Sequence, residues 1–227
     1  MLGDWLILVL GTVLALLPIA NPVSTAPIFL SLSRTFPRHR QREQARKAAV
    51  WTTVILTVSL GAGALVLEFF GISLPALRIA GGLIVARIGM AMMNAEAASQ
   101  ADLSEDSVAE AGHMSDISFT PIAMPMLSGP GSIAVTIGMA TNAERPTEYL
   151  AVAAGILIVA FISWLFLRSA SRIGEFLGVT GLNAVNRLMG FLLICVGVQF
   201  MGTGVLEALA SPVFLETVAQ GLADAAS

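Results

Sequence analysis

Pro18-Ile19-Ala20-Asn21-Pro22-Val23-Ser24-Thr25-Ala26-Pro27 returns later in the chain as Pro121-Ile122-Ala123-Met124-Pro125-Met126-Leu127-Ser128-Gly129-Pro130, with three prolines and an Ile-Ala pair in register. Both copies lie in long apolar runs, where an unbroken helix is the default. Each proline removes a backbone donor and clashes one turn back, at about 3 kcal/mol or more, and pushes the residue before it out of the helical region. Three within one such stretch predict a broken helix. Freed amides and carbonyls survive at membrane depth only where protein or a wet cavity satisfies them. Asn21, Ser24 and Thr25 in the first copy, and Ser128, Gly129, Gly131 and Ser132 in the second, supply polar or side-chain-free positions for that purpose.

Outward from these segments the chain is strongly apolar. Hydrophobic residues make up 56% of its 227 positions and charged residues 12%, and mean hydropathy is +0.83, which excludes an ordinary soluble domain. Candidate spans fall at 5–30, 48–70, 74–93, 118–141, 148–168 and 183–206. Each is near the roughly 20 residues that cross a bilayer core of about 30 Å. A weaker echo joins the third span of each half: Gly82 and Gly89 align with Gly190 and Gly197 at one common offset. The expected fold is therefore all-α: a polytopic membrane protein of six transmembrane helices in two inverted three-helix repeats, with helices 1 and 4 broken. Residues 1–93 form the first repeat, 94–116 an acidic linker, 117–210 the second repeat and 211–227 a C-terminal tail. Inversion follows from counting, since an odd number of spans per copy sends the second copy in from the other side.

Arg34, Arg38, Arg40, Arg42, Arg46 and Lys47 follow the first span, and Arg168 and Arg172 sit in the fifth connection, whereas the opposite side offers Arg145. The positive-inside rule then sets both termini outside the cytoplasm. The linker carries Glu96, Asp102, Glu105, Asp106, Glu110 and Asp116 with no basic residue, but acidic residues contribute little to orientation. A solvated linker is its expected role, and His113 within it has no second histidine at ligand spacing. No basic residue precedes the first apolar run, so that run is expected to stay as a span and not to be cleaved as a signal peptide.

The net charge of −3 gives no surface for nucleic acid. No HExxH pair, G-x-S-x-G elbow or paired intramembrane acids point to an enzyme, so no catalytic residue, cofactor or resident metal is expected. Cys195, the one cysteine, is expected to be a buried structural thiol. Matched breaks in inverted repeats point to a secondary transporter that binds its solute where the repeats meet, near the bilayer midplane. A half-helix amino terminus attracts a carboxylate and a carboxyl end suits an ammonium, so the two together fit a zwitterion. The expected substrate-binding set is Asn21, Pro22, Ser24, Thr25, Ser128, Gly129, Gly131 and Ser132, with Arg87 as a gate or charge partner. Arg78 and Arg187, near span ends, read as snorkelling anchors. Glycine-rich helix surfaces would serve packing within a protomer or a homo-oligomer. An ion or metal carrier and a non-transporting scaffold are the alternatives; the first lacks central carboxylate or thiolate ligands and the second leaves the paired breaks unexplained.

Pro18–Phe29 followed by a basic loop, Arg78-Ile79-Ala80-Gly81-Gly82, Pro121–Ile133 and Asn183–Gly190 together resemble the MarC family of inner-membrane proteins, over nearly the whole chain. The resemblance implies a six-span carrier in the lipid bilayer of the cell inner membrane. Its implied substrates are small neutral amino acids of the glycine, alanine, serine and threonine class, coupled to a proton or a sodium ion, with the two proline-broken segments as the binding region. Arg87, at a place usually apolar in the family, and the long acidic loop depart from the family pattern.

Overall fold

The computed structural model describes residues 2–94, 116–143 and 145–211. Among them every regular element is helical: α1 (Leu2–Ala20), α2 (Pro22–Leu32), α3 (Arg38–Phe69), α4 (Leu74–Met93), α5 (Ser118–Leu127), α6 (Pro130–Asn142), α7 (Pro146–Arg168) and α8 (Ala170–Leu209). Proline sets several starts, since its missing donor costs nothing in a first turn. Pro22, Pro75, Pro130 and Pro146 all occupy such positions. Ser73 adds a cap to α4, its hydroxyl accepting from the Ala76 amide at 3.3 Å. Within α8, Gly178 takes φ 59°, a value that favours glycine, and bends the helix there.

Five helices are long and apolar enough to cross a membrane, and α5 with α6, bent by 63°, makes a sixth if the pair is one span. The first expected span, 5–30, is in fact two helices: the 19-residue α1 and the 11-residue α2, separated at Asn21. The linker residues 95–115 and the tail 212–227 lie outside the described residues, so the expectations placed on them stay there.

The bundle buries two apolar cores. Leu16, Leu56, Val135, Ile156 and Leu193 centre one, and Phe29, Ile122, Leu127 and Leu167 the other. Outside them the surface is apolar too: Leu14, Leu65 and Phe69 are all more than two-thirds exposed, which suits hydrocarbon contact and not water. Lipid offers no hydrophobic drive for helices to associate, so close backbone approach takes over. α4 and α8 run antiparallel with glycine facing glycine. A Cβ on Gly82 would lie 2.5 Å from the Gly197 carbonyl, and one on Gly89 the same distance from the Gly190 carbonyl. The relation is reciprocal, since Cβ atoms on Gly197 and Gly190 would strike Gly82 and Gly89 at 2.5 and 2.7 Å. Further contacts set α1 against α7, α3 against α5 and α6, and α2 against α8.

Two single-residue expectations change. Arg78 is 6% exposed and does not snorkel: its guanidinium donates to Asn142 Oδ1 at 2.8 Å and pairs with Glu207, which joins α4, α6 and α8. A buried charge persists when it is paired in this way. Cys195 is exposed on the outer face of α8, because the seam with α4 is built from Gly190, Leu193 and Gly197 and leaves Cys195 off that face.

Candidate functional site

At the first break Asn21 adopts φ 38°, ψ 62°, the left-handed region that a short polar side chain tolerates better than most. Its side chain then closes the turn. Asn21 Oδ1 accepts from the Ser24 amide at 3.3 Å, and Nδ2 donates to Ser24 Oγ at 2.6 Å and to Met92 Sδ at 3.4 Å. Ser24 Oγ in turn donates to Asn186 Oδ1 of α8 at 2.5 Å. A polar chain Asn21–Ser24–Asn186 thus crosses from the break to the last helix. Thr25 Oγ1 donates to the Asn21 carbonyl at 3.1 Å.

The second break is built differently. Thr120 and Met124 are extended, and cis peptide bonds precede Pro121 and Pro125, so α5 is a wide, interrupted turn. Asp116 and Gln44 hold its start. Asp116 Oδ1 accepts from the Ser118 amide and hydroxyl at 2.9 and 2.6 Å, and Gln44 Oε1 accepts from the Ile117 amide at 3.0 Å. Burial pushes the Asp116 carboxyl up, but the Ser118 bonds and Lys47 outweigh it and hold the group below the usual aspartate range. At the far end of the break Ser128 donates through both its amide and its hydroxyl to the Ala123 carbonyl, each at 2.8 Å. Gly129 precedes α6 with no side-chain cap, and Pro130 brings no donor of its own.

Both breaks open on one cavity of about 410 Å³. Of the expected residues Asn21, Ser24, Thr25, Gly129 and Gly131 line it. Pro22, Ser128 and Ser132 stand outside the lining, the two serines fully buried with Ser132 Oγ donating to the Leu127 carbonyl at 3.4 Å. Arg87 is exposed on α4, also outside the lining. The cavity adds residues that pattern reading missed: Asn183 and Asn186 from α8, and Ile88 and Met92 from α4. Two amides one turn apart in an apolar helix were the available signal. Since Met92 is the penultimate residue of α4, the cavity sits toward one end of the α4–α8 pair.

Chemically the lining is neutral. It combines amides and hydroxyls with apolar walls from Ile19, Ile28, Met126 and Leu182, and it has no ionisable side chain among the described residues. Gly131 leaves room in a tight place, since a Cβ there would approach Val85 Cγ2 to 2.7 Å. Among the described residues no three His, Cys, Asp or Glu side chains are grouped so that they could hold a metal ion.

A family profile described as MarC family integral membrane protein matches residues 6–209. The chain is 40% identical over 208 residues to the inner membrane protein MarC of Escherichia coli (strain K12), covering 86% of this chain and 92% of that one. The inner membrane protein MarC of Shigella flexneri matches to the same extent. No solved structure matches the chain.

Proposed function

The chain belongs to the MarC family of integral membrane proteins and is a multi-pass protein of the inner membrane, and we propose that it is a secondary transporter of small neutral amino acids. The observation that carries the reading is the convergence of two broken helices on one neutral, amide-lined cavity. The uncapped start of α6 offers backbone amides and a positive dipole end to the substrate carboxylate. The amide oxygens of Asn21, Asn183 and Asn186 and the Ser24 hydroxyl offer acceptors to its ammonium. Ile88, Met92 and Met126 set apolar, uncharged walls beside these polar groups, which suits the neutral side chains of glycine, alanine, serine and threonine. A proton or sodium ion is the coupling ion that belongs to this reading, and the lining has no ionisable side chain among the described residues to carry it.

Two inverted repeats, residues 1–93 and 117–210, fit this mechanism. The offset that carries Gly82 to Gly190 also carries Gly89 to Gly197, so it turns the Gly82–Gly197 contact into the Gly190–Gly89 contact, which is also present. A two-fold axis in the membrane plane between α4 and α8 behaves in this manner. Alternating access would rock the repeats about that seam.

The test is alanine counterflow in proteoliposomes. Accumulation of labelled alanine driven by internal unlabelled alanine, competed by glycine and serine and lost in Asn186→Ala that still elutes as folded protein, is the expected result. Equal accumulation in protein-free vesicles, or competition by divalent metals in place of amino acids, overturns the reading.

A further inference from the structure

A second cavity, of about 190 Å³, lies where the first turns of α3 and α8 meet the last turn of α7. Arg38 and Arg42 reach it from α3, Arg168 from α7 and Arg172 from α8, with Ser169 and Ser171 between them. The chemistry is one-sided. No carboxylate is among the described lining residues, and neither α3 nor α8 has an acidic residue in its first turn or a side-chain cap on its end. Helix amino termini carry roughly half a positive charge and ordinarily attract acids. Here the carboxyl end of α7 runs straight into the amino end of α8, so their partial charges offset each other, and the four solvent-exposed guanidinium groups with the start of α3 leave the concavity net positive.

Two details separate this from a merely solvated basic loop. The arginines come as two pairs, Arg38 with Arg42 and Arg168 with Arg172, from two segments far apart in sequence, so folding brings the pairs together. Nor are they all loose: the Arg168 guanidinium lies 5.2 Å from the Trp164 ring centroid, and Gln41 donates to the Ser33 and Phe36 carbonyls at 2.9 and 3.2 Å, which ties the start of α3 to the α2–α3 connection. Phe29, Leu30 and Leu167 add an apolar side to the lining. Planar guanidinium forks match the oxygens of a phosphate group, and adjacent apolar side chains suit the first methylenes of an acyl chain.

We propose that this cavity binds a phosphate-type oxyanion at the face of the membrane that the basic residues assign to the cytoplasm, with an anionic phospholipid headgroup or a free phosphate as its source. The site is independent of the solute carried by the amide-lined cavity. In neutral detergent, the unfolding temperature is to be followed against dihexanoyl phosphatidylglycerol, the matching phosphatidylcholine, and sodium phosphate at constant ionic strength. The wild type is expected to be stabilised by phosphatidylglycerol and not by the zwitterionic lipid. The apparent affinity should fall at least tenfold in Arg42→Gln/Arg172→Gln and only partly in Arg42→Lys/Arg172→Lys. Stabilisation by sodium phosphate alone, with the same dependence on the arginines, supports the site and identifies a free anion as its ligand. Should the paired variant not fold, Arg168→Gln with native mass spectrometry of retained phosphatidylglycerol replaces it. Equal stabilisation of wild type and glutamine variant, or no response of the wild type to either anion, overturns the proposal.

Discussion

Asn21 serves two purposes with one side chain: it allows the left-handed turn that starts α2, and it passes a hydrogen bond through Ser24 to Asn186. Those roles can be separated. Asn21→Gly keeps the backbone conformation and removes the amide, whereas Asn21→Ala also strains the turn, by roughly 1–2 kcal/mol. Both are expected to lose transport in the counterflow assay, and Asn21→Ala alone should lower the unfolding temperature clearly. Asn186→Ala, in a helix and with no special backbone angle, should lose transport with little change in stability; a large fall in its unfolding temperature would assign the residue to packing instead. Asp116 makes a pH prediction. Its carboxyl is held below its ordinary value by Ser118 and Lys47 against the opposing effect of burial, so its contribution is present above the unfolded aspartate value of about 3.9 and fades as pH falls through the lower folded value. The stability gap between wild type and Asp116→Asn should therefore be open at neutral pH and close in acid, whereas a gap that widens on acidification contradicts this. At this scale the sequence was half legible. Proline and serine announced the breaks, but Asn183 and Asn186 reach the cavity through the approach of α8 to α2, which no local pattern encodes.

Helix packing here is decided by which glycines face a neighbour. A Cβ on Gly82 would meet the Gly197 carbonyl, the Met201 amide and the Met201 side chain within 2.8 Å, and two of those three are backbone, which cannot rotate away. Gly61, in contrast, has nothing within 4 Å of its Cβ position. Gly82→Ala is expected to lower stability by about 1–3 kcal/mol, the usual cost of overpacking. Gly61→Ala should gain up to about 1 kcal/mol from helix propensity. Because Gly82 and Gly197 strike each other reciprocally, pushing α4 from α8 once makes the second substitution cheaper, so the double alanine variant should cost less than the two single ones together. Strict additivity in thermal unfolding would show that the two glycines do not share a contact. The spans themselves were legible from apolar length, and 74–93 coincides with α4. The split of the first span was less so: Pro18 and Pro27 are accommodated inside α1 and α2, and the chain breaks at Asn21, which alone of these residues has a left-handed backbone.

Across the whole molecule, the offset that pairs the glycines also carries Arg78 to Asn186. The two residues stand toward opposite ends of the α4–α8 seam: Asn186 borders the cavity near Met92, and Arg78 lies about 21 Å along α4 from Met92, at about 1.5 Å per residue. There Arg78 binds Asn142 at the end of α6 and Glu207 in the last turn of α8, so three helices are clasped together at the end away from the cavity. Rocking about the glycine seam would have to undo that clasp when the other side opens. A charged hydrogen bond is worth about 1.5–3 kcal/mol. Its loss in Glu207→Gln should therefore shift the balance toward opening at the Arg78 end by roughly tenfold, since 1.4 kcal/mol is one decade in an equilibrium. The measurement uses a background with Cys195→Ala and a single reporter, Leu182→Cys, in the apolar part of the cavity wall. A membrane-impermeant maleimide added from the side of the Arg78 end should label the reporter about tenfold faster in Glu207→Gln than in the parent, and slower again when alanine is present to occupy the cavity. Labelling at the same rate in both proteins would mean that the clasp holds the fold together without gating access.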